Sequence, residues 1–98
     1  MKKINFKVLI RNIDTKEIQL KEVTGYRIDN NTAIYLDYPY WFVTDLESGR
    51  YICCASTKKD AINKYQNEET KKRIINAKRS KVYITFKKEF TKRIKNEI

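Results

Sequence analysis

The feature that most limits what this chain can fold into is a change of hydrophobic period near residue 56. Before it, apolar side chains recur at every second position. Ile4, Phe6, Val8 and Ile10 alternate with Lys3, Asn5, Lys7 and Arg11, the pattern of a strand with one buried face. After a polar turn at Asp14-Thr15-Lys16, residues Ile18 to Val23 alternate again as a hairpin partner. Gly25 marks a bend or bulge, and Tyr26 and Ile28 continue in extended form. Asp29-Asn30-Asn31 reads as a turn, because Asn tolerates positive φ. Ala33 to Asp37 and Tyr40 to Leu46 read as strands kept apart by Pro39, which has no amide donor. Tyr40, Phe42 and Leu46 face one side and Trp41 and Val43 the other. Glu47-Ser48-Gly49 turns the chain, with Gly49 in left-handed geometry, and Tyr51 to Ala55 returns antiparallel.

From residue 56 the spacing becomes helical. Thr57 and Asp60 form a capping box, with Ser56 as the alternative cap. Ala61, Ile62 and Tyr65 make a short stripe. No apolar residue occurs between Gln66 and Arg73, so the helix there is exposed or broken, although Glu68–Lys72 and Glu69–Arg73 are favourable i,i+4 pairs. Ile74, Ile75 and Ala77 restart the pattern, and Ser80 caps a further helix. There Val82, Tyr83, Phe86, Phe90 and Ile94 fall within ~120° of one another, with Lys81, Lys88, Lys92 and Lys95 opposite. Residues 81–86 also alternate as a strand; helix is preferred because the stripe runs on to Phe90 and Ile94. The expected fold is α+β: an antiparallel meander of four or five strands (1–55) followed by two helices packed on one face (56–98). With 98 residues this is one domain, with no room for a second, and its core is expected to be thin.

Charge is distributed unevenly. Net charge is +10, yet residues 1–70 hold eleven basic and ten acidic side chains while residues 71–98 hold eleven basic and two acidic. Lysine bias alone would spread along the chain. A solvated helix face is the ordinary reading of a basic run, but the asymmetry points to phosphates or acidic surfaces as partners. The candidate anion-binding residues are Lys71, Lys72, Arg73, Lys78, Arg79, Lys81, Lys88, Lys92 and Lys95.

Much chemistry is excluded. There is no His, hence no imidazole base, shuttle or ligand. Cys53 and Cys54 are adjacent, point to opposite faces of a strand, and have no further Cys or His with which to build a zinc site. Gly25 and Gly49 stand alone, so no phosphate-binding glycine loop exists. Asp29, Asp37 and Asp45 are the acids open to a Mg²⁺-dependent nuclease reading, but no close acidic cluster with a Lys accompanies them. The expected protein is non-catalytic, without cofactor or metal. Its polar amino terminus and short apolar runs fit a cytoplasmic location without a membrane span.

Tyr35, Tyr38, Tyr40, Trp41 and Phe42 cluster around Pro39. Core packing, a protein interface formed by Tyr35, Tyr38, Tyr40 and Trp41, and a base-stacking platform are the three readings.

The stretch Tyr40-Trp-Phe-Val-Thr-Asp-Leu-Glu-Ser-Gly-Arg-Tyr-Ile-Cys-Cys-Ala-Ser-Thr-Lys-Lys-Asp-Ala-Ile62 resembles a pattern in small phage and mobile-element proteins. There an aromatic strand ending in Val-Thr meets a Gly turn, a second strand and a capped helix. Asp45 departs from the His or other polar residue of that pattern, and the tail here is more basic. The resemblance carries no catalytic residue. It implies stoichiometric binding, in a host cytoplasm, to nucleic acid or to a host nucleic-acid-handling complex such as a CRISPR nuclease, as anti-CRISPR inhibitors do. A protein–protein inhibitor or adaptor with no nucleic-acid contact is the alternative.

Overall fold

The computed structural model describes residues 1–11, 14–15 and 17–97, with the side chains of Arg11, Ile18, Asn96 and Glu97 excepted. The meander runs β1 (Lys3–Arg11), β2 (Ile18–Asp29), β3 (Thr32–Asp37), β4 (Tyr40–Asp45) and β5 (Tyr51–Ala55). The five strands lie side by side in sequence order, all antiparallel. Of the expected first turn, Asp14 and Thr15 form a turn, and Lys16 lies outside the described residues. Three helices follow rather than two: α1 (Lys58–Gln66), α2 (Glu68–Lys78) and α3 (Lys81–Glu97). Residues 81–86 are helical. Asn67 makes the extra break. Its extended backbone ends α1, and its side chain caps α2 by accepting from the Glu69 amide at 2.8 Å. Thr57 caps α1 as expected, accepting from the Asp60 amide at 3.1 Å.

The sheet is not flat. The Leu9 amide of β1 donates to the Gly49 carbonyl in the β4–β5 turn at 2.8 Å. Four strand spacings of ~4.8 Å would hold those groups ~19 Å apart in a flat sheet. The sheet therefore rolls towards a barrel and encloses one core of Phe6, Val8, Ala33 and Tyr35, flanked by Val23 and Phe42. The convex face carries the other core, Ile34, Val43 and Cys53 packed under Ala61 and Tyr65 of α1 and Ile74 of α2. Alternation sorts the buried strand residues between these two cores.

Gly25 makes the tight inner path possible, although it is no bulge. Its register with Ile4 and Tyr35 is regular, and the irregularity falls at Ile28 instead. Gly49 does adopt positive φ, +71°.

Two tyrosine–carboxylate contacts fasten helices to the sheet. The Tyr65 hydroxyl of α1 donates to Asp29 Oδ2 at 2.5 Å and lies 3.0 Å from Thr32 Oγ1. Burial opposes the Asp29 carboxylate, but the bonds from Tyr65, the Asn31 amide and Thr32, with the charge of Lys71, hold its pKa below the usual value. The Tyr83 hydroxyl of α3 donates to Asp45 Oδ2 at 2.7 Å. Burial first, then that bond and the charges of Asp45 and Glu47, push the Tyr83 pKa well up. Burial likewise raises Tyr65 and Tyr35. A carboxylate with a lowered folded pKa adds stability above its unfolded pKa of ~4, lost as pH falls through the folded value. A tyrosine with a raised pKa adds stability below ~10, lost as pH rises through the folded value. Urea unfolding is thus expected to show a plateau between about pH 5 and pH 9, falling on both sides. Tyr65→Phe should raise the Asp29 pKa, followed by NMR titration, and weaken the acid limb.

Candidate anion-binding face

The rotation of α3 decides which side chains the tail presents. Ser80 links the two helices: its Oγ donates to the Ala77 carbonyl at 2.7 Å and accepts from the Tyr83 amide at 3.1 Å. From that pivot α3 lies over the β4–β5 turn at the end of the sheet, not on the convex face with α1 and α2. Tyr83 reaches Asp45. The Arg50 guanidinium stacks 4.4 Å over the Phe86 ring. Lys87 pairs with Glu47 at 2.8 Å. The buried Phe90 ring fills the space above Gly49 where any Cβ would sit, within 2.5 Å. A glycine in left-handed geometry and an aromatic ring thus lock α3 to the turn. Phe90→Ala is expected to lower stability by about 3–5 kcal/mol, read as a reduced urea midpoint.

At 100° per residue this docking centres the packed arc on Phe90 and Tyr83. Val82, expected within the stripe, lies at the arc's margin and is 58% exposed. Lys81, Lys88, Lys92 and Lys95 occupy the opposite arc, all exposed, spread along ~21 Å of helix. None has a carboxylate partner among the described residues. Ile84, 45% exposed, shares a shallow surface with Lys88, Lys92 and Lys95.

The other candidate cations divide. Lys72 and Arg79 are exposed on α2 and at its end. Lys71 lies 4.0 Å over the Tyr65 ring. Arg73 donates to the Ile52 carbonyl at 3.2 Å, and Lys64 does the same for Cys54 at 3.0 Å, so both cover the free edge of β5. Lys78 stands 3.7 Å from the buried Asp45 Oδ1. Lys71, Arg73 and Lys78 thus each have a partner within the chain, because Ile74 turns that side of α2 towards the sheet, while Lys71 and Arg73 stay exposed.

Tyr35 is corrected as an interface residue. It is 6% exposed and stacked on Phe42, with centroids 5.7 Å apart. Trp41 is half-buried beneath Lys58, whose ammonium is 5.8 Å from its ring. Tyr38 and Tyr40 are exposed at the β3–β4 tip beside Leu36. That tip and α3 sit at opposite ends of β4, ~17 Å apart along the strand.

The acids are not gathered. Asp37 ends β3 and Asp45 ends β4, at opposite ends of that strand pair and on opposite faces. Asp29 and Asp45 are each bonded to a helix tyrosine. Among the described residues no three His, Cys, Asp or Glu side chains are placed to hold a metal ion. Cys53 is buried, its thiol 3.7 Å from the Ala61 carbonyl and its pKa raised chiefly by burial. No described helix is long and apolar enough to cross a membrane.

Sequence reasoning missed Arg50 and Tyr51. Tyr51 is 65% exposed, and together with Arg50 it borders the end of the sheet under α3. An aromatic on a period-2 strand gave no signal of exposure.

No family model, curated relative or solved structure matches this chain.

Proposed function

We propose that this protein is a non-catalytic binder that grips the phosphate backbone of a nucleic acid, free or within a host nucleic-acid-handling complex, through the outer face of α3. One observation carries the reading. The fold uses Lys71, Arg73, Lys78 and Lys87 internally, yet leaves Lys81, Lys88, Lys92 and Lys95 together, outward and without acidic partners among the described residues. Four like charges on one helix face repel one another. An external polyanion relieves that repulsion and releases counterions on binding. A membrane surface fits less well, because the apolar arc of α3 is already packed on the turn. Purification at low salt tests the reading. Nucleic acid is expected to co-elute, raising the 260/280 nm absorbance ratio, and to be shed at about 0.5 M salt. A protein-like ratio at low salt, with no binding to added DNA or RNA, would reject it.

A stoichiometric protein inhibitor is the second reading, favoured by the exposed Leu36, Tyr38 and Tyr40 at the hairpin tip. A partner protein that stays bound after nuclease treatment, and is lost with Tyr38→Ala, would favour it.

A further inference from the structure

On the concave side of the rolled sheet, an open groove of about 460 Å³ runs from Asp37 at the hairpin end to Phe86 of α3. Tyr35, Phe42, Tyr51 and Phe86 contribute aromatic rings to its lining, beside Leu9 and Ile10 of β1. Phe42 sits at the centre of a connected set, with ring centroids 5.7 Å from Tyr35, 6.5 Å from Tyr40 and 6.0 Å from Tyr51. Tyr51, in the lining, is 65% exposed and offers its ring to solvent, while Tyr40, 48% exposed, stands beside Phe42 just outside it. Arg50 closes the α3 end, its guanidinium already stacked on Phe86. The Thr44 hydroxyl lies buried in the groove lining without a hydrogen-bond partner.

We infer that the polyanion is single-stranded, and that this groove takes its unpaired bases while the α3 lysines take its phosphates. This rests on the phosphate-binding reading and specifies its ligand. Three features of the groove favour that occupant. Exposed aromatic rings stack on any base. Arg50 adds a cationic plane that stacks as well as attracts phosphate. Phe86 makes the groove continuous with α3. From Phe86 to Lys81 or Lys92 is about a third of a turn, or ~10–15 Å around a helix of this diameter, with the exposed Val82 between Phe86 and Lys81. One strand leaving the groove therefore reaches the lysines. Paired bases cannot enter, because their faces are stacked within the helix. Asp45 places no charge in the groove, since it points to Tyr83 on the other side. Asp37 marks the end opposite Arg50, where bases rather than phosphates must lie.

Fluorescence anisotropy with a labelled single strand of about 12 nucleotides and the matching duplex tests this. The single strand should bind about tenfold or more tightly at low salt. Tyr51→Ala should weaken single-strand binding about tenfold and leave duplex binding and the salt slope unchanged. Tyr51→Phe, which keeps the ring, should restore it. Tyr51 is largely exposed, so its removal does not open the core. Equal or tighter duplex binding, or a silent Tyr51→Ala, overturns the groove assignment while a steep salt slope still upholds phosphate contact. Absence of salt-sensitive binding to either ligand overturns both.

Discussion

Replacing Lys81, Lys88, Lys92 and Lys95 together with Gln should remove most salt-dependent binding to nucleic acid. Each phosphate neutralised contributes ~0.9 to the slope of log K against log salt for duplex DNA and ~0.7 for a single strand. Four contacts therefore account for a slope of about 3.6 or 2.8. Between ~50 and ~200 mM salt the wild type should lose about 50- to 150-fold in affinity through these residues alone, and the variant should lose none of that share. The fold should be unaffected, since the four side chains are exposed and make no ion pair among the described residues. Removal of four repelling cations from one helix face leaves stability equal or slightly higher. A single variant such as Lys88→Gln should flatten the slope by about one contact. A slope unchanged in the fourfold variant would place the contact elsewhere.

Gly25→Ala should abolish the fold. A Cβ there would stand 2.1 Å from the Ile34 carbonyl oxygen and 2.9 Å from the Ile34 carbonyl carbon and Tyr35 Cβ. The first two are backbone atoms of the central strand β3, so no side-chain rotation relieves the collision. β3 is the spine of both cores, with Ile34 in one and Tyr35 in the other. Moving it disrupts both. The expected loss exceeds about 4 kcal/mol, comparable with the ~5–15 kcal/mol that holds a domain together. Circular dichroism should show no cooperative thermal transition. A melting temperature within a few degrees of wild type would mean that β2 and β3 do not approach as closely as described.

The strands were legible because the sequence alternates so regularly that parity alone sorts Trp41 and Val43 from Phe42. Ser80 and Thr57 marked their helix starts through short-range capping. Asn67 was missed because its extended backbone and cap interrupt a run of residues that otherwise favours helix. The site was legible only in part. The four α3 lysines share a face whatever lies beneath the helix, since spacing fixes their angle to Phe90. For Lys71, Arg73 and Lys78 the outcome depends on where β5 and Asp45 come to rest, and that is long-range information. Docking of α3 on the β4–β5 turn brings Arg50 and Tyr51 to one groove with Phe86, more than thirty residues away in the chain, and rolling of the sheet adds Leu9. No local pattern encodes that meeting. Tyr35 went into the core because it falls on the same strand parity as Ala33.

The most direct test of the central claim is to titrate the isotopically labelled protein with an oligonucleotide and follow backbone and lysine side-chain NMR signals. Shifts should concentrate on residues 81–95 and, for a single strand, extend to Arg50, Tyr51 and Phe86, with the Lys81, Lys88, Lys92 and Lys95 ammonium signals moving most. Shifts confined to Leu36–Trp41 at the hairpin tip, or an unchanged spectrum at low salt, would contradict it.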